Sequence, residues 1–127
     1  MSNMLDAQQL NELRTLIDHE DLIQSVRGVR DSVRAQLADL RLTRGDEIRC
    51  RFVLHDVRGV SACYAMAGLA RYAAECGEAL GEDGLTLAQI QRLADLADFC
   101  ADLILARLEG PASLGGDAAD APLVSAA

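Results

Sequence analysis

Lysine is absent from this chain: all twelve basic residues are arginine, set against twenty acids for a formal net charge of -8. A nucleic-acid binder needs a basic stripe, and this balance argues against one. Tryptophan is missing as well, only 3% of residues are aromatic, and proline occurs twice. Runs of β-branched residues are few, while half the chain is apolar, chiefly Ala and Leu, so an all-helical class is expected. No uninterrupted apolar stretch reaches the ~18 residues that a membrane helix needs, so no membrane association is expected. The start, MSNMLDAQQL, has neither the basic residues nor the apolar run of a secretory signal. Cys50, Cys63, Cys76 and Cys100 form no CxxC pair and lie in apolar helical patterns, which predicts buried thiols and no metal site. These absences together point to the cytoplasm.

What is present organises into one domain of helices. A chain of 127 residues can bury roughly two-thirds of its unfolded surface. The first helix is predicted from about Asp6 to Asp18, with Leu10, Leu13 and Ile17 on one face and Asp6 and Gln9 spaced as a capping box. The polar cluster DHED (18–21) breaks it, and Glu20 or Asp21 can open the second helix. Leu22, Val26, Val29, Val33 and Leu40 then form a bundle seam. LTRGDE (42–47) reads as a turn that ends on Asp46, an N-cap for the third helix. A fourth helix is expected from about Gly68 to Leu80. After the turn GEDG (81–84), Thr86 and Gln89 supply a second capping-box pattern. The final helix then runs to about Leu108, with Leu93, Leu96, Cys100, Leu103 and Ile104 inward. Short loops predict an up-down antiparallel four-helix bundle with an additional short N-terminal helix, spanning residues 1–109. Residues 110–127, small, acidic and containing Gly and Pro, read as a disordered tail.

The third helix carries the chemistry. Cys50, Val53, Val57, Val60 and Tyr64 step by three and four residues and form its core-facing seam. His55, one of only two histidines, lies two residues from both Val53 and Val57 and so projects to the opposite side. Ile48, Arg51, Phe52, Arg58, Gly59, Ala62 and Met66 share that outward side. Exposed apolar residues around an imidazole mark a docking surface rather than a solvated face. Arg58 is one turn from His55, close enough to reach a group attached to the ring. Gly59 costs about 1 kcal/mol relative to Ala in a helix interior, a cost that access to the ring would explain. The surroundings are locally basic: residues 41–60 hold five arginines and three acids, whereas residues 81–127 hold two arginines and eight acids. An acidic partner is therefore expected at His55. His19, in an acidic turn, is read as a capping or solvated residue, Asp56 projects about 100° away from His55, and Ser61 is read as a packing residue.

The run LHDVRGVSACYAMAGLARYAAECGEAL (54–80) resembles the signature of the histidine-containing phosphotransfer (HPt) family, His-x-x-Lys/Arg-Gly-x-Ser/Ala on a bundle helix. His55, Arg58, Gly59 and Ser61 match it position by position, as do the apolar Val57 and Leu69. Three departures stand out. Arg58 replaces the usual lysine and offers a planar fork rather than a point charge. Ala65 stands where many members have a helix-ending glycine, with Gly68 the alternative break. Gly77 stands where an acidic residue is common.

The resemblance implies a phosphocarrier rather than an enzyme; the sequence offers no P-loop or other ATP site. His55 would accept a phosphoryl group from the aspartyl phosphate of a receiver domain and pass it to another receiver. Arg58 would steady the phosphoryl oxygens, Gly59 would leave the ring accessible and Arg51 would favour docking. Ile48, Phe52, Ala62 and Met66 would contact the partner. No cofactor of its own is implied; Mg2+ would sit in the receiver. The implied partners are response-regulator receiver domains, a hybrid histidine kinase, or both, and the expected state is monomeric. Two other readings stay open: a receiver-binding module without phosphotransfer, and a kinase-dimerisation bundle, whose H-box FVLHDVRG loosely resembles.

Overall fold

The structure is a computed structural model and describes residues 3–113, with side chains through Glu109. It is all-helical, in the order α1 (Ala7–Leu16), α2 (His19–Leu40), α3 (Glu47–Cys63), α4 (Ala67–Ala79) and α5 (Leu87–Ser113). Packing contacts join α2 to α3, α3 to α4, α4 to α5 and α5 back to α2, while α1 packs on α2.

Local chemistry sets the helix starts. The Asp6 carboxylate accepts the Gln9 N–H at 3.0 Å and the Asp46 carboxylate accepts the Arg49 N–H at 3.1 Å, each occupying an orphan donor of a first turn. The expected capping box at Thr86 is complete: the Gln89 N–H donates to Thr86 Oγ1, and Gln89 Oε1 accepts the Thr86 N–H. The box at Asp6 is only half made, because the Gln9 side chain donates instead to the Ala62 carbonyl at 2.7 Å. A tertiary contact has taken the group that a local motif would have used. The start of α2 also differs from expectation. Asp18 is its N-cap without a side-chain bond, which places exposed His19 in the first turn, with Glu20 and Asp21 beside the positive end of the helix dipole.

The α2 seam is buried as the spacing predicts, and Ile23 and Leu37 join it. From α5, Leu93, Leu96, Cys100 and Ile104 are buried, whereas Leu103 is half-buried. Three polar rungs join α2 to α5: Arg41 to Gln91, Arg34 to Asp98 and Arg27 to Glu109. Numbers fall along α2 as they rise along α5. Exposed pairs of this kind contribute at most about 1 kcal/mol each, whereas one fully buried leucine contributes roughly 1.5–3 kcal/mol. The rungs therefore fix register and the leucines hold the helices together.

Two ties close the ends of the α3–α4 pair. At one end Arg44, in the α2–α3 turn, accepts the Leu85 N–H through its carbonyl at 2.8 Å. Gly84, with φ +73, lies directly against that carbonyl, where a side chain would collide. At the other end the N-terminal segment crosses the α3–α4 joint. The Asp6 N–H donates to the Ala65 carbonyl at 2.9 Å, and the Gly68 N–H to the Met4 carbonyl at 2.8 Å.

That joint resolves where α3 ends. The helix stops at Cys63, and Ala65 takes a left-handed backbone with φ +64. It is the one non-glycine residue with positive φ among the described residues. Ala65, not Gly68, makes the reversal, and α4 begins at Ala67. Ser61, fully buried, donates its hydroxyl to the Val57 carbonyl at 2.6 Å, satisfying a polar group in the last turn. At the far end, α5 continues past Leu108 to Ser113; the remainder of the segment read as a tail lies outside the described residues.

Candidate functional site

His55 is exposed on the outer side of α3, with Val53, Leu54 and Val57 buried beneath it. Neither α1 nor α4 covers the ring: α1 docks near the end of α3, at Ala62, and α4 runs alongside. The two helices leave an open groove of ≈ 440 Å³ between them. Its α3 wall comprises Arg51, Leu54, His55 and Arg58, and its α4 wall includes Ala73, Ala74, Gly77 and Glu78.

The electrostatics of the groove are uneven. Arg51 is engaged by Glu47, one turn back, at 3.0 Å. Among the described residues, the side chains of His55, Arg58 and Glu78 form no hydrogen bond or ion pair, and Arg58 accepts the Ser61 hydroxyl only through its backbone carbonyl. The groove thus presents an imidazole, a guanidinium and a carboxylate that are all uncommitted. Asp56, the immediate neighbour of His55, accepts a hydrogen bond from Gln36 of α2 at 2.8 Å and is turned away from the groove.

Gly59 is exposed, and a methyl group built on it would meet nothing within 4 Å. Packing within the protein therefore gives no reason for glycine there. Gly77, on the opposite wall, is equally unconstrained by its own protein. Around the groove, Ile48 and Phe52 project into solvent at 82% and 66% exposure, one turn apart on α3.

Other expected positions fall elsewhere. Met66 is fully buried and cannot form part of an outward face. The helical projection that placed it outward assumed that α3 continues, but the chain reverses at Ala65 and Met66 becomes the N-cap residue of α4, turned into the core. Val60, inside α3, and Tyr64, its C-cap, are only half-buried, although the seam predicted both inward. Ala62 is exposed, but it shares a separate depression with Asp6, Gln8, Gln9 and Glu12 of the N-terminal region. Cys50, Cys76 and Cys100 are buried as expected; Cys63 is exposed, because it is the last residue of α3 on the side away from the core. Among the described residues no three His, Cys, Asp or Glu side chains are grouped to hold a metal ion, and no helix is long and apolar enough to cross a membrane.

The α4 wall was not singled out from the sequence. Its signal is Ala73, Ala74 and Gly77 at helical spacing, which marks a face where little protrudes. No protein-family model, no curated protein and no solved structure matches the chain.

Proposed function

We propose that this chain is a histidine phosphotransfer protein of the HPt type, carrying a phosphoryl group on His55 between receiver domains of a phosphorelay. One observation carries the reading: an uncovered imidazole shares an open groove with an uncommitted arginine one helical turn away, beside exposed Ile48 and Phe52. Helices α2–α5 form an up-down antiparallel four-helix bundle in this reading, with α1 alongside. The ring of contacts α2–α3–α4–α5–α2 and the opposed numbering of the α2–α5 rungs support that topology.

In the transfer, a lone pair on a neutral imidazole nitrogen forms the N–P bond as the acyl P–O bond of the partner's aspartyl phosphate breaks. The carboxylate leaves with the bonding electrons, and the other ring nitrogen keeps its proton. The reaction is chiefly a matter of position and charge neutralisation. Arg58 contributes a fixed cation to the phosphoryl oxygens, and the receiver contributes its acidic pocket and Mg2+. Ile48 and Phe52 supply the apolar contact, while Arg51 favours an acidic rim. The protein acts as a cytoplasmic monomer without an ATP site.

Incubation with a phosphorylated receiver domain and Mg2+ tests this. Acid-labile, alkali-stable label on the wild type that vanishes in His55→Gln is the expected result. Receiver binding without label would replace the carrier with a simple interaction module. A stable dimer with two histidines on one helical stem would favour the kinase-dimerisation type.

A further inference from the structure

Glu78 brings a negative charge into the groove that a phosphoryl group on His55 would occupy. It lines the same cavity as His55 and Arg58 from the opposite helix and forms no hydrogen bond or ion pair among the described residues. A dianionic phosphoryl group on the ring would enter a space that already holds a carboxylate. Two effects then act in the same direction. Like charges that share one partly solvated groove repel. In addition, Glu78 faces the same groove as Arg58, the cation that the phosphoryl oxygens require, and offers it a rival anion.

We propose that Glu78 sets the direction of phosphoryl flow by disfavouring the phosphorylated state of His55, so that the protein passes the group on rather than storing it. The inference rests on the phosphotransfer reading of His55. Gly77, bare and adjacent to Glu78, keeps the wall low enough for the partner's acyl phosphate to enter beside the carboxylate. The balance of the step is unchanged: the imidazole nitrogen gains the phosphoryl group, the acyl oxygen leaves with its electron pair, and only the relative stability of the two phosphorylated proteins shifts.

The equilibrium share of label between this protein and a phosphorylated receiver, with Mg2+ and below the concentration at which the two stay bound, measures that stability independently of docking rate. Screened repulsion between charges sharing such a groove is on the order of a threefold change. Glu78→Gln is therefore expected to raise the share of label on His55 about threefold, Glu78→Arg to raise it further, and Glu78→Asp to stay near wild type. The gain should shrink as salt rises to about 0.5 M. Glu75→Gln, on the same helix but outside the groove, should leave the share unchanged. An unaltered partition in Glu78→Gln, or an equal gain in Glu75→Gln, overturns this inference while the labelled wild type still upholds phosphotransfer. A wild type that takes no label overturns the phosphotransfer reading and this inference with it.

Discussion

Met4 lies against the bare Cα of Gly68: its carbonyl accepts the Gly68 N–H at 2.8 Å, and a methyl group at Gly68 would stand 2.5 Å from the Met4 sulfur and 3.2 Å from its Cα. The contact binds the N-terminal segment to the first turn of α4. Gly68→Ala gains about 1 kcal/mol of helix preference but overpacks by roughly 1–3 kcal/mol, so a net loss of about 1 kcal/mol is expected in urea unfolding. In a Met4→Ala background the collision with the sulfur is gone, and the same substitution should become neutral or stabilising. An equal loss in both backgrounds would show that the obstacle is the Met4 backbone and not its side chain.

Gly59 offers the reverse combination. With nothing near its added methyl, Gly59→Ala should stabilise the protein by about 0.5–1 kcal/mol. Gly59→Gln should remain folded yet slow transfer to His55 by about tenfold or more, because the longer side chain occupies space that the incoming group requires. A stabilised Gly59→Gln with full transfer would remove the access argument.

Met66 and Phe52 were expected on one surface and now separate by assay. Met66→Ala hollows the core and should cost about 2–5 kcal/mol of stability. Phe52→Ala, at an exposed site, should change stability by less than about 0.5 kcal/mol and weaken receiver binding about tenfold. Calorimetry of unfolding and of binding, run on both variants, reads the two effects separately.

Thiol reactivity tests the end of α3. Burial pushes the Cys76 and Cys100 thiols up, so less thiolate is available there, and Cys50 is buried with its thiol turned to the Arg44 carbonyl at 3.2 Å. Cys63 alone among the four is exposed. Native protein treated with a disulfide reagent should release one fast equivalent that disappears in Cys63→Ser, with the other three appearing only on unfolding. Two or more fast equivalents would contradict the packing of Cys50, Cys76 and Cys100 in the core.

Ala65 makes the sharpest backbone prediction. A β-branched residue at φ +64 is a genuine outlier, so Ala65→Val should cost more than about 2 kcal/mol in a urea melt. Ala65→Gly trades relief of strain against a lost buried methyl and should lie within about 1 kcal/mol of wild type.

The helices, the turn residues and most of the buried faces were legible because apolar spacing and capping chemistry are local. His55 was legible for the same reason: two residues from Val53 and from Val57 is outward on any helix. What misled was a periodicity carried through a break. Nothing in the sequence announces that Ala65, rather than Gly68, adopts the left-handed conformation, and the outward placement of Met66 follows only if α3 continues. Gln9 was misplaced for a different reason, since its local partner lost to the distant Ala62 carbonyl. Half of the groove was unread as well, because a wall of alanines and a glycine becomes visible only once α4 lies beside α3.

Backbone ties at Arg44–Leu85 on one end and at Met4 and Asp6 on the other brace both ends of the helix pair that frames His55. For a docking receiver of the kind proposed, a groove braced in this way lowers the entropy forfeited in ordering it.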